Sequence, residues 1–205
     1  MYAHMDQISR PGHQSGGQDP AGPGTDAAGQ PGLLGSVTMQ QLAGPAAVCL
    51  TWWDSEAGAT AFAGQRAARP AQPGDIYEVA EAEQGPAAAE IPGYARLLYF
   101  DGPRAPEQVA AADLAGRQRI WPAIRSLSGL VGVYVLRGPD LGYVVVTLAT
   151  SVETLEAAQR AVMATELMPG EDPALLPGPD RIEIHRVTGY DASAAGQAAS
   201  AQGLR

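Results

Sequence analysis

Residues 129–147 read GLVGVYVLRGPDLGYVVVT, and residues 32–51 read GLLGSVTMQQLAGPAAVCLT. Each opens on Gly-x-x-Gly, runs through an alternating segment, turns at Gly or Pro, and closes on a second apolar segment ending in Thr. β-Branched side chains suit a pleated surface, and Gly and Pro suit the turn between two strands. The stretches lie 97 positions apart at their first glycine and 96 apart at their final threonine. The correspondence continues outward. Asp54-Ser55 and Thr150-Ser151 follow, each placed to open a helix. Tyr2-Ala-His-Met5 precedes one stretch as Tyr94-Ala-Arg-Leu97 precedes the other, and Gly74-Asp-Ile-Tyr-Glu-Val79 is matched by Pro179-Asp-Arg-Ile-Glu-Ile184. Ordered self-similarity at near-constant spacing reads as an internal repeat.

The second copy gives the plan. Ala95–Phe100 reads as a strand. Pro106–Leu127 reads as a helix, with Pro106 in its first turn and Val109, Ala112, Ile120, Ile124 and Leu127 at helical spacing. Pro122 predicts a kink, because it removes a backbone donor and crowds the preceding turn. Val131–Arg137 and Gly142–Ala149 are strands. Thr150-Ser-Val-Glu153 reads as a capping box opening a helix to about Thr165, with Val152, Leu155, Ala158 and Val162 facing inward. Arg181–Thr188 is the last strand. The order βαββαβ is the ferredoxin-like plan. The first copy has the same strands and second helix, but Ser9–Pro31, with ten Gly or Pro in 23 residues, stands where its first helix belongs. Such a segment has too little apolar surface to offset its ordering entropy, so it reads as a disordered loop. The tail 191–205 reads likewise. The expectation is an α+β fold: two ferredoxin-like (βαββαβ) repeats, 1–90 and 91–190, forming an intramolecular dimeric-type α/β barrel, with the first repeat lacking its first helix.

Composition narrows the function classes. The 205 residues carry a net charge of -9, with 13 arginines as their basic residues and neither Lys nor Asn. A lysine Schiff base and a phosphate-loop lysine are excluded. An acidic surface repels a phosphate backbone and an anionic bilayer, so neither nucleic acid nor membrane is the expected partner. One cysteine, Cys49, in an apolar run, fits a reducing compartment and a core role. No leader-like apolar run opens the chain and no apolar run approaches membrane-spanning length, so a cytoplasmic location is expected. One Cys and three His offer no zinc-type spacing, and no metal or other cofactor is expected.

Val48-Cys-Leu-Thr-Trp-Trp-Asp-Ser-Glu-Ala57 resembles the antibiotic-biosynthesis-monooxygenase (ABM) family of the dimeric α/β-barrel superfamily, in which an apolar strand ends at a Trp before an acid-Ser-Glu helix start. Trp53, Asp54, Ser55 and Glu56 carry the match. Pro31-Gly32-Leu-Leu-Gly35 and Leu127-Ser-Gly-Leu-Val-Gly132 resemble the family's Pro-Gly-x-x-Gly link before the second strand. The resemblance spans roughly residues 1–8, 32–80 and 94–188. It implies a protein that binds a small aromatic or quinone-type molecule, with cofactor-independent monooxygenation as its catalytic form. Haem degradation fits poorly, because the haem-degrading members use an Asn and a His and this chain has no Asn and no His in the helix after Trp53.

The candidate residues follow. His185, His4 and Trp53 are the catalytic candidates: an imidazole near neutrality accepts a proton from a phenol, and Trp53 shapes the pocket. Trp52, Tyr99, Trp121, Tyr134 and Tyr143 are the candidates to enclose a flat aromatic ligand. Trp52 and Trp53, adjacent on a strand, point to opposite faces. For the tryptophans and tyrosines core packing is the competing reading, and for His4 and His185 it is a surface or hydrogen-bonded structural role. Glu78, Glu81, Glu83 and Glu183 read as a solvated edge. The alternative to an enzyme is a non-catalytic ligand-binding or assembly module of the same fold. The expected assembly is a monomeric pseudo-dimer or a homodimer.

Overall fold

The structure, a computed structural model, describes residues 1–9, 30–66 and 76–191. Most of the segments expected to be disordered, 10–29 of the loop and 192–205 of the tail, lie outside the described residues, and so does the question of a first helix in the first repeat. The element order is β1 (Tyr2–Ser9), β2 (Leu33–Gln41), β3 (Ala46–Trp53), α1 (Glu56–Arg66), β4 (Ile76–Gln84), β5 (Tyr94–Phe100), α2 (Pro106–Ala115), a π turn (Gly116–Ile120), α3 (Trp121–Ile124), β6 (Leu130–Arg137), β7 (Tyr143–Ala149), α4 (Val152–Met163), a 3-10 turn (Pro173–Leu175) and β8 (Arg181–Asp191). The fold is α+β, and the strands hydrogen-bond in the order β1-β3-β2-β8-β5-β7-β6-β4, a closed barrel. By contacts the chain forms two compact units. Unit 1 comprises Met1–Val79 with Ile184–Arg205, and unit 2 comprises Ala80–Glu183.

In unit 1, β1 pairs antiparallel with β3 and β4, and β2 pairs with β3 and β8. Helix α1 packs its Ala59 and Phe62 on Trp53, with Tyr2, Leu33 and Ile76 around them. In unit 2, β7 lies between β5 and β6. Ile124, Leu130 and Ala158 form a core with Trp121, Leu127, Val133 and Val162 packed against it. Strand alternation divides the residues of this sheet. Ala95, Leu97, Tyr99, Tyr134, Leu136, Val144, Val146 and Leu148 are buried, whereas Leu98, Phe100, Val133, Val135, Tyr143 and Val145, on the helix side, keep some exposure.

The turn glycines behave alike in the two halves. Gly32 and Gly129 have φ of +82° and +85°, a conformation that a Cβ disfavours, and a register shift follows each, at Leu33/Gly35 and Leu130/Gly132. Gly32 O accepts from Asp54 N at 2.9 Å, and Gly129 O accepts from Thr150 N at 2.9 Å. Leu33 faces Trp53 in register and Leu130 faces Ala149. Two local expectations shift by a residue or more. The N-cap of α4 is Ser151, whose hydroxyl accepts from Thr154 N at 3.3 Å. The irregularity expected at Pro122 takes the form of the π turn just before it, where the ladder adjusts to a residue without an N–H.

Candidate functional site

The helix-side face of unit 2 does not close on its helices. Between β5–β7 and the α2–π–α3 and α4 helices lies a cavity of about 410 Å³. Val133, Val135, Val145, Ile120 and Ile124 supply much of its apolar wall. Phe100 and Tyr143 stack at 4.3 Å between centroids and an interplanar angle of 14°, and Trp121 lines the cavity from the helix side. A concave apolar space with few polar groups is the general form of a small-molecule site.

The charges around it are mostly paired. Arg117 donates to Glu81 at 2.7 Å, and Arg137 donates to Asp113 at 2.6 Å. Arg119, on the π turn, donates from Nε to Glu171 at 3.0 Å and from Nη1 to Thr165 Oγ1 at 2.9 Å. Arg96 differs. It sits in the middle of the apolar strand β5, opposite Thr147 in register, and is 7% exposed. Its Nη1 donates to the Gln159 side-chain oxygen at 2.7 Å and to Leu155 O at 3.4 Å. Its Nε is buried without an acceptor. Burial lowers its pKa, yet an arginine so shifted stays cationic near neutral pH. Burial, and then the neighbouring Glu81 carboxylate, raise the Glu83 carboxyl above its ordinary range. Tyr143 is pushed up to about 12, chiefly by burial, so its phenol is neutral and remains a hydrogen-bond donor through the physiological range.

A strap covers part of the cavity. Leu176, Pro177, Gly178 and Pro179 line it from the segment between α4 and β8. One end of the strap is held by the Arg119–Glu171 pair, with Met168 N donating to Glu171 at 2.8 Å. The other end is held at Asp180, which takes hydrogen bonds from Arg104 and from Asp101 N and donates its own N–H to Tyr99 O at 2.8 Å.

The residues singled out from sequence fall into three places. Trp121 and Tyr143 line the cavity. Tyr99 and Tyr134 are buried and are not among its lining residues, and Tyr99 donates to Glu183 at 3.2 Å. His4, Trp52, Trp53 and His185 belong to unit 1. There His4 meets Phe62 edge-on at 5.8 Å, and Trp53 packs on Phe62 at 5.0 Å while its Nε1 donates to Thr51 Oγ1 at 3.0 Å. Trp52 is buried on the opposite face of β3, and His185 is fully buried opposite Gln41 in register. Glu81 and Glu83, expected on a solvated edge, line the cavity. Arg96, Gln159 and Phe100 were not among the candidates. A lone arginine inside the run Tyr94–Phe100 was the available signal. Among the described residues no group of three or more His, Cys, Asp or Glu is placed to hold a metal ion, and no helix is long and apolar enough to cross a membrane.

Against known proteins, the chain matches no family model and no curated protein. Solved structures do resemble it. An anthrone oxidase-like protein superposes with a TM-score of 0.54 at 13% identity, over 94% of this chain and 93% of that one. A ferredoxin-fold protein from Listeria monocytogenes related to antibiotic biosynthesis monooxygenases gives 0.52 at 8% identity, over 92% and 94%. The chain has an ABM-like, ferredoxin-type fold. A haem-degrading enzyme from the same organism gives 0.51 at 8% identity, over 91% and 99%. Structures this distant, named for different activities, share the fold with this chain and do not select its chemistry.

Proposed function

We propose that the chain is an ABM-like protein that binds a small aromatic or quinone-type molecule in the unit 2 cavity. The observation that carries this reading is the cavity of about 410 Å³ walled by Trp121 and the stacked Phe100–Tyr143 pair. A planar ring system buries both faces there against aromatic and β-branched side chains. The test is native mass spectrometry of freshly purified protein, set against a variant with the cavity filled, Val145→Trp. The expected result is a mass of a few hundred daltons, lost on denaturation and absent from the variant. Bare wild-type protein that also binds nothing from a panel of hydroxy-aromatic compounds would overturn the reading.

Oxidation of that molecule is a second reading, supported by Glu83. A carboxylate whose proton affinity is raised is a suitable acceptor for a proton from an activated CH or OH group. In this reading the substrate itself reduces oxygen. One oxygen atom replaces two hydrogens of a ring CH2 as C=O, and the other leaves as water with those hydrogens. Oxygen uptake with an anthrone-type compound, lost in Glu83→Gln with ligand binding retained, is the expected result. Binding without uptake favours the non-catalytic alternative.

A further inference from the structure

We propose that the occupant of the unit 2 cavity is a planar aromatic monoanion, and that Arg96 receives its ionised oxygen. The proposal rests on the cavity being a ligand site, as argued above, and specifies what that ligand must carry.

A guanidinium has five N–H donors in a fixed fork. Nη1 of Arg96 is committed to Gln159 and Leu155. The side-on edge formed by Nε and Nη2 is left, with Nε buried and without an acceptor. That edge has the geometry for two parallel hydrogen bonds to a carboxylate, or for a forked pair to one phenolate oxygen. A buried donor left unmade is costly, so a site retaining one in an apolar space is matched to an acceptor that arrives with the ligand.

The charge balance agrees. Arg117, Arg119 and Arg137 each have a carboxylate partner, in Glu81, Glu171 and Asp113. Arg96 has none among the described residues, although it is more buried than the other cavity-lining arginines. Glu83 also lines the cavity, and burial and then Glu81 raise its proton affinity. A buried cation without an ion pair beside it attracts a negative charge from the ligand, whereas a neutral ligand would leave it unpaired. Gln159 fixes the orientation without neutralising it, because an amide oxygen accepts a hydrogen bond and carries no charge. Around this cation the ring system meets Tyr143 and Trp121, and the anion lies at the ring's edge.

The test compares 2-naphthoate with its neutral isostere 2-naphthamide by calorimetric titration at pH 7. Wild-type protein is expected to prefer naphthoate by about 10- to 100-fold, the ratio that charge-assisted hydrogen bonds produce. Arg96→Met is expected to remove the preference by weakening naphthoate and not naphthamide, and Arg96→Lys to restore part of it. Should Arg96→Met fail to fold, the wild-type ratio decides the anion preference, and an unchanged ratio in Arg96→Lys, which loses the guanidinium fork, overturns the role of Arg96. 2-Naphthol separates the two sources of the charge. Its ionised absorption band in the complex at pH 7 assigns a phenolate, and its neutral band alongside a preference for naphthoate assigns a carboxylate. Equal binding of naphthoate and naphthamide overturns the anion proposal and leaves the cavity reading standing. Failure of all three compounds to bind, while the cavity-filled variant behaves as wild type, overturns both.

Discussion

Removing the carboxylate of Glu171 should loosen the strap over the cavity without unfolding the protein. The Glu171 side chain is 3% exposed and that of Arg119 is 14% exposed, so Glu171→Ala strands a guanidinium in a largely dry place. Breaking a buried pair by removing one partner costs about 3–5 kcal/mol. Arg119 keeps its bond to Thr165 and a little solvent, which places the cost near the lower end, at about 3 kcal/mol. The strap also loses the acceptor for Met168 N. If that free energy is taken from local opening, amide exchange across 166–176 speeds up by about a hundredfold, at roughly 1.4 kcal/mol per factor of ten. Glu156→Ala is the control. Its partner Arg160 lies at 3.7 Å, with side chains 71% and 62% exposed, and exposed helical pairs are worth about 0.3–0.5 kcal/mol. Glu171→Gln should fall between, because its amide oxygen still accepts from Met168 N while the charge is gone. Hydrogen exchange with mass spectrometry reads all three variants. A change below threefold in 166–176 for Glu171→Ala, matching Glu156→Ala, would refute the assignment of this pair as the anchor of the strap.

Two further outcomes are expected. Gly129→Ala and Gly170→Ala both place a Cβ at positive φ, +85° and +91°, but only at Gly129 would that Cβ meet atoms, the hydroxyls of Thr154 and Thr150 at 2.6 and 2.7 Å. Urea unfolding should show a loss of about 1–2 kcal/mol for Gly170→Ala and at least about 1 kcal/mol more for Gly129→Ala; equal losses would mean that the threonines rotate away freely. Tyr143 holds its proton to about 12, whereas an unfolded tyrosine releases it near 10, so its contribution to stability falls as pH rises between those values. Absorbance at 295 nm should show Tyr143→Phe losing a late-titrating phenol, and the variant should lose less stability than wild type across that window.

The fold was legible where backbone chemistry leaves one choice. Gly32 and Gly129 head the two hairpins because a positive φ there suits Gly, and the same Gly-x-x-Gly spelling marks both in the sequence. The site was legible only in part. Tyr99, Tyr134 and Tyr143 look equivalent in a list of strand aromatics, yet alternation puts the first two on the buried face and the third on the cavity. Sequence gives the parity of a strand but does not say which parity faces a void. Trp53 carried the family likeness, and in the fold it packs against α1 beside Phe62. Arg96 was visible as a charge inside an apolar strand. Its meaning depends on Gln159, 63 residues away, holding one edge of the guanidinium and leaving the other. The same holds for Glu171, whose partner on the π turn no local pattern connects to it.

The division of the chain between its two units bears on the order in which they are completed during synthesis. Unit 2 is one continuous stretch, Ala80–Glu183, so its contacts are all available once residue 183 has left the ribosome. Unit 1 starts 79 residues earlier yet finishes later, because β2 receives its second neighbour only when Ile184–Asp191 arrives, with Tyr190 opposite Val37 and His185 opposite Gln41. The nascent Met1–Val79 segment therefore presents an open strand edge throughout the making of unit 2, a pairing of high contact order that folds slowly and invites chaperone attention. A gene cut at its midpoint would give a first fragment with β2 unpaired on one side, and co-expression with a peptide spanning 184–191 is the natural way to restore it.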